Sequence, residues 1–507
     1  MTGSNPYDLV TGRKRFVAGL ALASVNLMVV LDMTIANVSV PHIAGNLGIS
    51  PSQGTWVITS YAVAEAICVP LTGWLAQRFG SVRVFILSIL GFGLFSVLCG
   101  LSTTLGMLVA CRIGQGLSGG PLIPLTQTLL MRIFPPEKRA SAMGLWAITT
   151  LVGPALGPIL GGWISDNWSW HWIFFINVPV ILFSAGVTYS LLRGVETPTE
   201  KLPIDRIGLG LMVLWISALQ IMLDIGREHD WFADTTVLSL GLFAAVVFVV
   251  FVIWELTEEH PIVDLRVFRH RGFTINALTL SLGFGTYFAG IVVIPQWMQL
   301  SLGFTATWAG VATAFTGMAG VLVGRFAPML ITKIDGRIVL SGALVWAGAA
   351  TLLRSNWTSG ADFWTLALPQ LIMGFGMPFF FVTATSLSLS AVPPKELASA
   401  AGLQNFLRIM AIAVSTSIVM TYWNDQARVS GSDLAGKLNP DTPGGMVGGF
   451  SIEQSRVLMA QLVDREALTV ATDKVFLLAG LLMWVIAAFV WFAPKPKRPA
   501  GPMTGGH

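Results

Sequence analysis

The chain has 507 residues, 54% of them hydrophobic and only 11% charged, with a formal net charge of +4. Its mean hydropathy is +0.72. Such a chain has too little charge to clothe a water-facing surface, so a soluble globular enzyme or regulatory domain is excluded and a membrane protein is expected. Three cysteines, Cys68, Cys99 and Cys111, all fall in apolar stretches and read as small packing residues rather than a disulfide framework.

The first apolar run continues well past a signal-peptide core, so it reads as a first membrane helix that is inserted and retained. Fourteen stretches are long enough, or nearly so, to cross a hydrocarbon layer of about 30 Å as helices. In chain order they lie near 16–40, 55–75, 84–102, 105–130, 142–163, 172–192, 206–224, 236–256, 273–297, 307–330, 338–353, 364–390, 398–422 and 473–493. The fold class expected is therefore an all-α polytopic membrane protein. Residues 1–15 form an N-terminal segment and 16–192 a six-helix half. Two extra helices with their linkers fill 193–272, a second six-helix half fills 273–493, and 494–507 are a tail.

Basic residues collect in every second connection, beginning with Arg13, Lys14 and Arg15 and ending with Lys495, Lys497 and Arg498. Because cytoplasmic loops retain Lys and Arg, both termini are expected in the cytoplasm. Only Arg227 and Arg354 are left for the short outer loops. One outer stretch, 423–472, is long, and its part EQSRVLMAQLVDREAL has the apolar spacing of a surface helix.

A duplication runs through the chain. PPEKRASAMGL at 135–145 returns as PPKELASAAGL at 393–403, a shift of 258 residues that also sets Gly116 on Gly374. Two related halves with a pathway between them suit alternating access by rocking. The copies differ where it matters: Arg112 falls on Gln370, and the Thr286 region that matches Asp32 holds no acid. Coupling chemistry is therefore expected mainly in the first half.

Three ionisable residues interrupt the first four spans. Counting at 1.5 Å per residue, Asp32 lies about 13 Å, Glu65 about 15 Å and Arg112 about 10 Å from the outer ends of spans 1, 2 and 4. A charge at such depth costs about 2.5–3.5 kcal/mol, so these residues face the bundle interior and find partners. Span 4 supports this, since Arg112 shares a face with Gly116, Gly119 and Gly120, where another helix can come close. Tyr61 shares the Glu65 side of span 2. A structural ion pair that merely fixes helix packing is one reading. Proton exchange is the other, with Asp32 as carrier, Arg112 as modulator, and Glu65 as second carrier or contact for a cationic substrate. Arg408, about 15 Å into span 13, is a further candidate for substrate or coupling, as are Tyr61 and Gln115, the latter beside Arg112.

LDMTIANVSVP in span 1, RIGQGLSGGPLIP in span 4, GPALGPILGG in span 5 and WHWIFFINVP at span 6 resemble the major facilitator superfamily. They look most like its fourteen-span drug:proton antiporters, and LQIMLDIGREHDWF and WELTEEHPIVDLRVF look like the EmrB/FarB subgroup. The resemblance implies the major facilitator fold and proton coupling through Asp32 and Arg112. It implies that Gly153, Pro154, Gly157, Pro158 and Gly161 form the antiporter motif. In GWLAQRFGSVR, Gly73, Arg78, Gly80 and Arg83 match the family's cytoplasmic loop between spans 2 and 3. Gln77 stands there where many members carry an aspartate. Glycines four apart offer a smooth face, and the prolines should free carbonyls and bend span 5. The resemblance further implies a bacterial inner-membrane pump, with a periplasmic membrane-fusion adaptor and an outer-membrane channel as partners; 423–472 offers docking surface for them, and reads equally well as a solvated spacer.

Weaker signals add little. Gly114, Gly116 and Gly119 spell a dinucleotide fingerprint, but no strand precedes it and it lies inside a membrane helix. No GxxxxGK[ST] occurs, so the chain is no P-loop ATPase, and the histidines form no zinc-like cluster with cysteine. No cofactor beyond a proton gradient, no metal and no nucleic-acid partner are expected. Cargo is expected to be small and hydrophobic or amphipathic, since flexible Met and aromatic side chains accept such compounds without fixed polar geometry. The rival functions are a proton-coupled uptake carrier of the same fold, a polytopic membrane enzyme, and a non-transporting sensor. Span 5 argues against the first. The mid-membrane depth of the charges argues against the second, which would need its polar groups at one membrane face.

Overall fold

In a computed structural model, residues 6–49, 51–54, 56–201, 203–226, 231–437 and 452–495 are described. Arg227 and His229, the middle of the long outer stretch at 438–451, and the tail from 496 onward, with Lys497 and Arg498, lie outside the described residues. Among those described, all regular structure is helical.

A helix or a broken helix lies at each of the fourteen expected spans. Eleven are long and apolar enough to cross a membrane by themselves, and two bent pairs bring the number to thirteen. The remaining span, the fourth, consists of Leu105–Gly119 and Leu122–Ile133, 15 and 12 residues long, each too short alone. Pro121, which lacks an N–H, interrupts the ladder between them. Pro70 stands in the break between Trp56–Cys68 and Thr72–Phe79, which meet at 55°. Several spans start on a capping side chain that accepts from an otherwise orphaned backbone N–H, as Thr104, Asp205, Asp234, Thr305 and Asp362 do.

We call the face where span 1 begins the near face and its opposite the far face. Helix pairing repeats through the duplication. Span 1 (Gly12–Leu47) packs on span 5 (Arg139–Asn167) and span 2 on span 4, just as span 9 (Arg271–Ser301) packs on span 13 and span 10 (Ala306–Gly324) on span 12 (Phe363–Ser390). In each half a glycine of the fourth helix lies against a backbone carbonyl of the second, Gly116 on Tyr61 and Gly374 on Thr316. The glycines of span 4 thus serve close helix packing. The two extra helices, Arg206–Ile225 and Thr235–Thr257, touch both halves through span 7. Thr59 of span 2 donates to Asp224 at 2.8 Å, and Ser417 of span 13 donates to the Leu223 carbonyl at 2.9 Å. Span 8 is clad in exposed Leu242, Val246, Val249 and Ile253, a lipid-facing surface.

The last two spans run longer than hydropathy suggests. Span 13 is Leu397–Lys437, 41 residues, and the helix ending in span 14 is Ile452–Phe489, 38 residues. The surface helix expected in EQSRVLMAQLVDREAL is therefore continuous with span 14. Much of 423–472 is a pair of helical extensions on the far face rather than a free loop. Arg354 also departs from expectation. Placed by sequence in an outer loop, it is only 2% exposed, because the turn at Leu353–Asn356 folds its side chain inward.

Candidate coupling site

Asp32 and Arg112 meet in the core of the first half. Arg112 Nη1 lies 2.6 Å from Asp32 Oδ2, and each side chain is 1% exposed. The guanidinium is fixed on other sides as well. Its Nε donates to the Val57 carbonyl at 3.1 Å, Nη1 also donates to Gln115 Oε1 at 2.8 Å, and the group lies over the Tyr61 ring, 4.2 Å from its centroid. Burying two charges is costly unless their remaining donors and acceptors are filled, and here both carboxylate oxygens and the guanidinium Nε and Nη1 are bonded. Asp32 Oδ1 accepts from Gln115 Nε2 at 3.0 Å and from Asn177 Nδ2 at 2.8 Å. Asn177 also donates to Ser96 Oγ at 3.0 Å, and the Ser96 hydroxyl donates in turn to the Phe174 carbonyl at 2.9 Å. Spans 1, 2, 3, 4 and 6 are thus joined in one network around this carboxylate, which spans 4 and 6 bond directly.

Sequence reasoning brought Asp32, Arg112, Tyr61 and Gln115 to this place but missed Asn177 and Ser96. Asn177 was legible, since a lone amide five residues inside span 6 sits at the same depth as Arg112. Ser96 carries no such signal, because a serine in a helix ordinarily bonds its own backbone.

Glu65 stands apart. It is 0% exposed, and neither carboxylate oxygen has a hydrogen-bond partner. The charge that bears on it most is Arg408, from the opposite half. Arg408 is itself 4% exposed, with Nε and Nη1 unpartnered, and sits 5.4 Å from the Trp146 ring and 5.2 Å from the Phe284 ring. Trp146, Gln127 and Gln404 contribute further unpartnered polar atoms at this boundary between the halves. Equal depth put Glu65 in the layer of Asp32, and from span 2 it lies within electrostatic reach of Arg408 of span 13 as well as of Arg112 and Asp32.

Gly153, Gly157 and Gly161 line up against span 1. A methyl group at any of them would run into Val30, Thr34 or Ile35, the residues that flank Asp32. Span 5 is bent by 45° between its parts Pro136–Pro154 and Ile159–Ser165, as the prolines predict. Pro154 is buried on the other side of the helix, against spans 9 and 10. The side chain of Pro158 lies outside the described residues.

The loop between spans 2 and 3 seals the near face. Gly73 lies against Ser399 of the second half, where no side chain would fit, and Gln77 Nε2 reaches the Ser399 hydroxyl at 3.5 Å. Gly402 comes close to the Val69 carbonyl, and Lys395 pairs with Glu200 at 3.2 Å. Gly80 has φ +93°, a backbone that favours glycine, and its surroundings are filled by the Glu196 carboxylate. Glu196 accepts from the N–H groups of Val82 and Arg83 at 2.9 and 3.0 Å, capping span 3. Arg78 stacks over Trp74 at 5.3 Å, and the Arg83 side chain is exposed.

The sequence profile of the Major Facilitator Superfamily matches residues 22–416. The chain belongs to the major facilitator superfamily. It is 42% identical over 508 residues to the multidrug export protein EmrB of Escherichia coli (strain K12), covering 98% of each chain. It is 41% identical to the fatty acid resistance protein FarB of Neisseria gonorrhoeae, covering 96% of this chain and 99% of that one. In three dimensions it resembles the crystal structure of the human organic anion transporter MFSD10 (TETRAN), with a TM-score of 0.56 at 15% identity over 93% of this chain and all of that one. That likeness shows the fold alone. As a superfamily member, the protein is a multi-pass membrane transporter rather than an enzyme, and the dense interior network is the candidate for its energy coupling.

Proposed function

We propose that this protein is a proton-driven antiporter that exports hydrophobic or amphipathic compounds across a bacterial inner membrane. The relatives at about two-fifths identity are named for multidrug export and fatty acid resistance, which favours export over uptake. The single observation that carries proton coupling is the buried Asp32 carboxylate, held by Arg112, Gln115 and Asn177 beside the glycine face of a bent span 5.

A proton on Asp32 cancels its charge and removes the ion-pair attraction to Arg112 that ties span 1 to span 4. Arg112 keeps its bonds to the Val57 carbonyl and Gln115, so the guanidinium stays in place while the carboxyl group is freed. Span 1 then moves against span 5, whose glycines present no side chains to catch on it. Each proton travelling inward gains about 2.3 kcal/mol per 100 mV of membrane potential, which biases the cycle toward export. Glu65 of the first half and Arg408 of the second act on each other across the boundary and would form a second charge couple, made and broken as the halves rock. In this orientation the near face, where Gly73 meets Ser399 of the other half, is cytoplasmic, with both termini. The far-face helices are then periplasmic, where a membrane-fusion adaptor and, beyond it, an outer-membrane channel would receive cargo.

The test is proton-driven efflux from proteoliposomes over a compound panel, wild type against Asp32→Asn. The variant is expected to lose transport while remaining folded. Full proton-driven efflux in Asp32→Asn would exclude this carboxylate as the carrier. Adaptor capture that survives removal of the projecting far-face helices would exclude them as its docking surface.

A further inference from the structure

The second half holds a buried cation that no part of the coupling site uses. Arg354 follows span 11 (Gly336–Leu352) and is 2% exposed. Its Nε has no partner, and Nη2 makes only a long 3.4 Å bond to the Pro369 carbonyl. The Phe476 ring, 5.8 Å away, offsets the charge only in part. Among the described residues no carboxylate pairs with it. Two acids of the far-face turns are engaged elsewhere, Asp362 by the Thr365 N–H at 3.0 Å and Asp473 by the Trp357 N–H at 3.2 Å. A guanidinium stays charged under all ordinary conditions, so Arg354 cannot shed its charge to escape burial. An unpaired buried charge is costly and calls for an acceptor of opposite sign.

The packing leaves a place for one. Arg354 walls a void of about 20 Å³ between the halves, together with Tyr287 of span 9, Thr316 of span 10, Gln370 of span 12 and Pro154 of span 5. Gln370 Oε1 accepts from Thr316 Oγ1 at 3.3 Å, which leaves Nε2, buried and unpartnered, as a second donor. Gly290 keeps the guanidinium clear on the span 9 side, since even a Cβ there would touch Arg354 Nη1 at 3.4 Å.

The first half shows what such a donor set holds. There Arg112 Nη1 and Gln115 Nε2 both donate to the Asp32 carboxylate, at 2.6 and 3.0 Å. The second half repeats the pair, a guanidinium and a glutamine amide, and supplies no acid. Its amide, Gln370, stands at the position that Arg112 holds one repeat earlier. The void then fixes the class of the missing acceptor, because it takes a group about the size of one water molecule. Water is neutral and leaves the charge uncompensated. Carboxylate, sulfate and phosphate ions are too large. A monatomic halide carries a full negative charge in little more space than water, and it accepts from any direction, so donors on different helices can share it.

We propose that Arg354 and Gln370, with Tyr287 beside them, bind a halide ion, chloride foremost. The ion takes in the second half the place that the Asp32 carboxylate takes in the first. The site depends neither on the nature of the cargo nor on the direction of transport. Pro154 belongs to the opposite half, so a bound ion touches both halves and favours the arrangement in which span 5 lies against spans 9 and 10.

The test follows thermal unfolding of the purified full-length protein in detergent as chloride replaces gluconate at constant ionic strength. A ligand of the folded state stabilises it by an amount that grows as the logarithm of ligand concentration above Kd. Wild type is expected to melt higher in chloride and in bromide than in gluconate. Arg354→Gln should lose that rise. Gln370→Leu should need about ten-fold more chloride for the same rise, the loss expected for one hydrogen bond to a charged group. No difference between chloride and gluconate in wild type would overturn the proposal and leave the void to water. An equal rise in folded Arg354→Gln would overturn it too, by making the effect a general one of salt. If Arg354→Gln does not fold, an unchanged chloride response in Gln370→Leu overturns it instead. Sulfate that stabilises wild type as chloride does, through Arg354, would contradict the size of the void and sink the halide assignment.

Discussion

The two halves share a helix plan but treat buried charge in opposite ways. In the first, Asp32 and Arg112 sit within a closed network in which both carboxylate oxygens and the guanidinium are bonded. In the second, Arg354 and Arg408 are also buried, with donors left open and, among the described residues, no acid of their own half paired with them. A satisfied network is rigid and holds one arrangement until its charge changes. Open donors keep a standing demand for a partner. Duplication has thus yielded one half with a closed charge network and another with open donors.

That contrast breaks most visibly in stability. Arg112→Gln should cost about 3–5 kcal/mol, because it strands the Asp32 carboxylate in the core. Arg354→Gln strands nothing and, in chloride-free detergent, should leave thermal unfolding unchanged or slightly raised. Equal destabilisation by the two substitutions would erase the distinction. Next in size, Asn177→Ala should cost about 1.5–3 kcal/mol by removing one hydrogen bond to the carboxylate and another to Ser96. Gly157→Ala should cost about 1–3 kcal/mol and slow efflux, since its methyl meets Thr34. Gly162→Ala, with open space around it, is the matched control on the same helix. An equal effect of both would mean that span 5 responds to helix propensity rather than to contact with span 1.

The smallest effect is at the far-face rim. His171 stacks on Trp170 at 3.8 Å, and partial burial holds its pKa below the usual 6.5. A histidine harder to protonate when folded than when unfolded contributes stability above about pH 6.5, which is lost as the pH falls through that value. His171→Gln should therefore flatten a shallow decline in melting temperature between about pH 7 and pH 5. A decline of unchanged slope would assign it to other groups.

Depth along a helix is legible in sequence, and azimuth largely is not. Counting residues placed Asp32, Glu65 and Arg112 in one layer, and the structure keeps them there. It could not reveal that Arg408 of the other half also bears on Glu65, because the direction a span faces depends on which neighbours it meets. Arg354 shows the same limit at a span end, where a long side chain can lie in water or fold inward and the residue number is the same. Bent span 5 was predictable, since proline removes a donor wherever it stands. The far-face extensions escaped hydropathy because 423–437 is polar yet still helical, so the apolar signal stops while the backbone continues.

Those extensions have a mechanical consequence. At 1.5 Å per residue, helices of 41 and 38 residues reach about 60 Å, about twice the thickness of the hydrocarbon layer. Trp423 is tied to Thr472, Lys474 to Gln426, and Trp297 of span 9 to Thr469, so the pair stands as a mast stepped firmly into the second half. A mast converts a few degrees of roll at its foot into a wide sweep at its head. Whatever is fastened to that head would feel every turnover as a stroke, and a load heavy enough to hold it still would stall the cycle from outside the bilayer.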